Sequence, residues 1–131
     1  MEKVLFVCVE NACRSQMAEA FFNKLASGKA IAMSAGTKPS NTVNSKAIEV
    51  MKEIGIGMDK QKPKLLTQEM IQKADKLITM GCEADFCPAP SLQTVDWGIE
   101  DPSGKSIEKF REVRDKIRQK VEKLIEEMKL V

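Results

Sequence analysis

The sequence predicts an α/β domain in three layers: a four-stranded parallel sheet flanked by helices. Two observations carry that prediction. Short apolar runs of strand length alternate with helical apolar patterns along the chain, and alternation of this kind closes into a parallel sheet with helices on both faces. The 131 residues are also one domain's worth of chain, long enough to bury a real core. No repeat, low-complexity tract or linker divides them, so residues 1–131 are read as a single domain.

The elements follow in order. Lys3 to Val7 is the first strand. From Arg14, apolar residues at Met17, Ala18, Phe21, Phe22 and Leu25 space one face of a helix that ends near Ser27-Gly28. Ala30 to Met33 is a second short strand, with Ser34-Ala35-Gly36-Thr37 turning out of it into a loop that runs to Asn44. Ala47, Ile48, Met51 and Ile54 mark a second helix, stopped by Gly55 and Gly57. Thr67 caps a short helix to Lys73, Leu77 to Met80 is a third strand, and Val95 with Trp97 marks a fourth. Ile107, Phe110, Val113, Ile117, Val121, Leu124 and Met128 space a long final helix whose apolar stripe is core packing and whose charges form a solvated face.

Composition excludes several functions. A net charge of +2 opposes a nucleic-acid binder that works through a strong positive field, but not a small anionic substrate. No apolar run reaches membrane-span length, and the acidic residue within the N-terminal apolar stretch is unlike a signal peptide. The expected compartment is the cytoplasm, where thiols stay mostly reduced, and the expected state is a monomer. There is no histidine and no tyrosine. Any general acid or base must therefore be Asp, Glu, Lys or Cys.

The chemistry-bearing segment is CVENACRS, Cys8 to Ser15, between the first strand and the first helix. A loop so placed points backbone N–H groups into one small space. Val9, Glu10, Asn11, Ala12, Cys13 and Arg14 would cradle an oxyanion, with the Arg14 guanidinium closing over it. The same positive field favours the thiolate form of Cys8. Ser15 offers a hydroxyl to that sulfur, and Asn11 tolerates the φ > 0 that holds the loop. By spacing alone, a cysteine ending a core strand fits as well; the strand before and the helix after favour chemistry. Asp101-Pro102, after the fourth strand, offers a general acid, with Asp96 and Glu100 as competitors. Cys82 and Cys87 lie after the third strand and can be read as structural thiols, zinc ligands or a disulfide pair. The carboxyl ends of three strands thus bring Cys8, Cys82 and Asp101 to one sheet edge.

CVENACRSQMAEAFF resembles the active-site loop of the low-molecular-weight protein tyrosine phosphatase fold, and more closely that of thioredoxin-coupled arsenate reductases. Ser34 to Thr37, Gly81 to Pro88, and Asp96 to Pro102 running into Phe110 to Ile117 match as well, so the resemblance spans nearly the whole chain. It implies a low-molecular-weight-phosphatase-like fold and a relay. Cys8 attacks arsenate, Asp101 protonates the departing oxygen, Cys82 attacks Cys8, and Cys87 attacks Cys82. Thioredoxin or a similar dithiol protein then reduces the Cys82–Cys87 disulfide. No cofactor is implied. Some relatives bind potassium beside the loop, where Asn11, Glu19 and Ser34 stand here. This chain departs from the pattern at Glu10, where many relatives have glycine, and in the short Cys82-to-Cys87 spacing. Glu10 is expected to point outward. One alternative is a phosphatase acting on phosphotyrosine or small esters through a phosphocysteine. Ser103-Gly104-Lys105 supplies none of the aromatic residues that phosphatases carry after Asp-Pro. The other alternative, a non-enzymatic thiol switch or zinc protein, leaves Arg14, Ser15 and Asp101 without roles.

Overall fold

The computed structural model describes residues 2–81 and 94–129. Eight elements run β1 (Glu2–Cys8), α1 (Arg14–Ala26), β2 (Ala30–Gly36), α2 (Ser45–Lys52), α3 (Gln68–Lys73), β3 (Lys76–Thr79), β4 (Thr94–Asp96) and α4 (Ile107–Glu127). All strand pairings are parallel, in the order β2-β1-β3-β4. The chain leaves β1 toward β2, then crosses back to β3. The strand order therefore reverses between β1 and β3, and the crevice at their carboxyl ends is where such sheets bind ligands. Cys8 ends β1, and Met80-Gly81 follows β3.

The two-residue period of β1 explains the layers. Val4, Phe6 and Cys8 face the larger core, packed with Met17, Phe21 and Phe22 of α1, Met51 of α2, and Phe110, Ile117 and Val121 of α4. Leu5 and Val7 face the smaller core, with Ala35, Leu77 and Ile71 of α3. A strand buried on both faces reads as the unbroken apolar run seen in the sequence. The Phe6 ring lies 5.5 Å from the Trp97 ring, fixing the start of the segment that leads to Asp101.

Local chemistry sets the ends of the helices. Ser27 takes the left-handed conformation after α1 (φ 49°), and Gly55 does so after α2 (φ 80°). Asn44, Thr67 and Ser106 accept backbone N–H groups at the starts of α2, α3 and α4. One expectation needs correction. The turn read at Ser34 to Gly36 is the last part of β2, because these residues pair with Phe6, Val7 and Cys8. Partners on β1 hold them extended despite their turn-like composition. Among the described residues, no helix is long and apolar enough to cross a membrane.

Candidate active site

The loop from Cys8 to Arg14 is shaped from outside. The carbonyls of Val9, Glu10 and Ala12 accept the backbone N–H groups of Lys38, Ser40 and Asn44 at 2.8, 2.9 and 2.8 Å. Carbonyl and N–H point in opposite directions across a trans peptide, and no cis peptide interrupts the described chain. The N–H groups of Glu10, Asn11 and Cys13 are therefore turned away from this strap, toward the concavity. Asn11 makes the bend by adopting φ 51°. A β-carbon on Gly36 would lie 2.6 Å from the Val9 oxygen and 2.9 Å from the Asn11 nitrogen, so only glycine lets β2 approach. Helix α1 starts at Arg14 with no side-chain cap on its first N–H groups. Those groups remain free to meet an anion.

Cys8 stands at the floor of this cradle. Its Sγ is 2.8 Å from Ser15 Oγ, and Ser15 Oγ accepts from Asn11 Nδ2 at 2.7 Å. With its oxygen engaged by the amide, the serine proton is available to the sulfur. Cys13 is different. Burial pushes its thiol well above the ordinary value; Asp101 and Cys8 add to the effect, and Arg14 opposes it. Both are free thiols, and burial favours the protonated form of Cys13.

The front of the cleft carries the charge. Arg14 Nη1 donates to the Ile99 carbonyl at 2.9 Å, and Arg14 Nη2 lies 3.8 Å from Asp101 Oδ2. The β-position of Gly81 is 3.1 Å from Arg14 Nη1, so glycine there keeps the arginine's path open. Asp101 is steadied by the Ser103 N–H, which donates to Oδ1 at 3.0 Å. The arginine side chain is 12% exposed and the aspartate 49%, so the guanidinium is built into the cleft while the carboxylate stands at its mouth. Cys8, Val9, Glu10, Ala12, Cys13, Arg14, Gly81, Asp101 and Ser103 enclose about 340 Å³. Glu10 is exposed, as expected, although it stays on the rim of the cleft. Glu100 is drawn away from the site by Lys105 and Lys109. Asp96 accepts from Thr79 Oγ1 at 2.6 Å. Among the described residues, Asp101 is thus the carboxylate that reaches Arg14. Cys82 and Cys87 lie outside the described residues.

Behind the loop, Glu19 Oε1 accepts from Ser34 Oγ at 2.8 Å and lies 3.7 Å from Lys64 Nζ. The lysine ammonium thus supplies positive charge at the carboxylate that the sequence suggested for potassium. Among the described residues, no three Cys, Asp or Glu side chains gather as a metal site.

The family model described as low molecular weight phosphotyrosine protein phosphatase matches residues 3–130. The chain belongs to this family. Its similarity to family members is close. A glutaredoxin arsenate reductase from Synechocystis is 40% identical over 128 residues, covering 95% of this chain and 97% of that protein. An arsenate reductase solved in a phosphate-binding state superposes with a TM-score of 0.89 at 38% identity, covering 97% of this chain and 98% of the other. The thioredoxin-dependent arsenate reductase of Corynebacterium glutamicum gives a TM-score of 0.85 at 33% identity, covering 99% of this chain and 63% of that one.

Three contributors to this phosphatase-family loop were not visible as site residues in the sequence. Gly36 acts through close approach, Ile99 through a backbone carbonyl, and Gln16 through its side-chain amide. Gln16 carried one faint signal, since a glutamine beside the active-site serine at a helix start is a costly residue to bury unless it is bonded.

Proposed function

We propose that this chain reduces arsenate to arsenite at Cys8 and passes the resulting disulfide to a small dithiol protein. The observation that carries the reading is the Cys8–Ser15 contact at 2.8 Å inside an N–H-lined loop that Arg14 closes. A nucleophile and an oxyanion cradle occupy one small cleft. The Cys8 thiolate attacks arsenic, and Asp101 protonates an arsenate oxygen, which leaves as water. Cys82, as thiolate, then attacks Cys8 Sγ. The Cys8–Cys82 disulfide forms as the sulfur–arsenic bond breaks, and its electron pair leaves on arsenic, reducing As(V) to As(III). Cys87 attacks Cys82, releasing the Cys8 thiolate and leaving a Cys82–Cys87 disulfide. Two electrons from thioredoxin or a similar dithiol reset the enzyme. The names of the similar proteins, thioredoxin-dependent in one case and glutaredoxin in another, support a small dithiol reductant.

The same cradle suits a phosphoryl group, and the family's phosphotyrosine model favours a second, slower activity on phosphate esters. The cleft wall has no aromatic side chain among its described residues, so small esters are preferred to phosphotyrosine. The test is arsenate-dependent oxidation of reduced thioredoxin, with arsenite quantified. Stoichiometric arsenite is expected. Phosphate ester turnover with no arsenite would replace the reading with a phosphatase.

A further inference from the structure

We propose that Gln16 is a positioning residue that, with Gln61, relays a direction fixed by backbone atoms along a buried hydrogen-bond chain ending on the Cys8 sulfur. The inference rests on Cys8 being the nucleophile. Gln61 Nε2 donates to Gln16 Oε1 at 2.7 Å and to the Gln16 backbone carbonyl at 3.0 Å. Gln16 Nε2 faces three acceptors: Asn11 Oδ1 at 3.0 Å, the Asn11 carbonyl at 2.9 Å and the Lys62 carbonyl at 3.0 Å. The Lys64 backbone N–H donates to the same Asn11 Oδ1 at 2.9 Å. Asn11 Nδ2 donates to Ser15 Oγ, and Ser15 meets Cys8 Sγ.

Backbone atoms fix the sense of this chain. An amide can be flipped end for end, but a carbonyl accepts only and an N–H donates only. The carbonyls of Asn11 and Lys62 require nitrogen on the inner side of Gln16. The Lys64 N–H requires oxygen on the near side of Asn11. Asn11 must then offer its NH₂ to Ser15, so the serine hydroxyl is left to donate to sulfur. Asn11, Ser15 and Gln16 are each completely buried, so water cannot substitute for a missing partner. With Gln16 lost, Asn11 Oδ1 keeps one donor of two, and its amide is freer to turn its oxygen toward Ser15. The serine would then spend its proton on Asn11 rather than on Cys8. Segment 61–64 lies 45 or more positions beyond Gln16 in the chain, so the reactivity of the thiol is linked to a distant loop.

The test is iodoacetamide alkylation of Cys8 as a function of pH in Gln16→Met and Gln61→Met. Methionine keeps the length of the side chain and removes its hydrogen bonds. Both variants leave in place Arg14, Cys13, Glu10 and Asp101, the other titratable or charged groups lining the Cys8 cleft among the described residues. The expected result for Gln16→Met is alkylation about tenfold slower at pH 6.5 and within about twofold of the parent at pH 9.5, above the range in which an ordinary thiol ionises. Gln61→Met, at the outer end of the chain, is expected to slow the pH 6.5 rate about threefold. A loss of equal proportion at both pH values is a structural defect and overturns the proposal, as does an unchanged profile. If Gln16→Met does not fold, the Gln61→Met profile decides by the same criteria. The assay contains no arsenate, so its outcome is separate from that of the reductase reading.

Discussion

The back and the front of the Cys8 loop are built differently. Behind it, Asn11, Ser15 and Gln16 are fully buried and bonded to one another and to segment 61–64. In front, Asp101 is half exposed, held by a turn N–H and a long ion pair to Arg14. The rear fixes what must be ready before substrate arrives: the thiol, its hydrogen-bond donor and the N–H groups of the cradle. Preorganised dipoles of this kind need no reorganisation during the reaction. The front holds the carboxylate proposed as the acid, and loose tethering lets it adjust to a departing oxygen. Gly81 joins the front, beside Arg14.

Substitutions can separate the two halves. The largest effect belongs to the sulfurs. Cys8→Ser should reduce arsenite formation at least about 10⁴-fold, since the hydroxyl lacks the nucleophilicity of a thiolate. Cys87→Ser should complete one turnover and stop with Cys8 joined to Cys82; sustained turnover in that variant contradicts the relay. Asp101→Asn comes next. A rapid-quench experiment should find the first chemical step slowed about a hundredfold, within the usual range for removing a general acid. Phosphate affinity should move by less than about threefold, because the N–H cradle and Arg14 remain. An unchanged first step would transfer the acid role to another group.

At the rear, Gly36→Ala should cost about 2 kcal/mol in urea unfolding, since its methyl group has nowhere to go between Val9 and Asn11. Full stability there would mean that the strap moves aside easily, and the rear would not be the rigid half. The smallest effect concerns Cys13. Its folded-state value lies above that of an unfolded thiol. The proton it retains therefore contributes stability that is complete below the unfolded value, about 8.5, and is lost as pH rises beyond it. Native protein treated with iodoacetamide at pH 8 should be modified at Cys8 and spared at Cys13, as read by peptide mass spectrometry. Equal labelling would place Cys13 among the reactive thiols.

How much of this was legible in the sequence follows the same division. The strand, loop and helix of Cys8 to Ala26 could be read because apolar periodicity and the nucleophile lie in one contiguous stretch. Asp101 could be read as a candidate acid once histidine was absent, beside Asp96 and Glu100, and the structure pairs those two competitors elsewhere. The rear of the loop was not legible. Its contacts join Gln16 to residues 61 and 62, and Asn11 to residue 64, and no local pattern announces a tertiary hydrogen bond. The end of β2 was misread for a related reason. Ser34, Ala35 and Gly36 have turn-like composition, but parallel pairing with β1 and the tight approach to Val9 and Asn11 select small residues in an extended strand.

In the proposed function, the Cys8 cradle feeds a cysteine relay. The most direct measurement is disulfide mapping by peptide mass spectrometry after fully reduced protein meets arsenate with no external thiol. A Cys82–Cys87 disulfide should form with arsenate and not with phosphate. No arsenate-dependent disulfide, with Cys8 still open to alkylation, would contradict it.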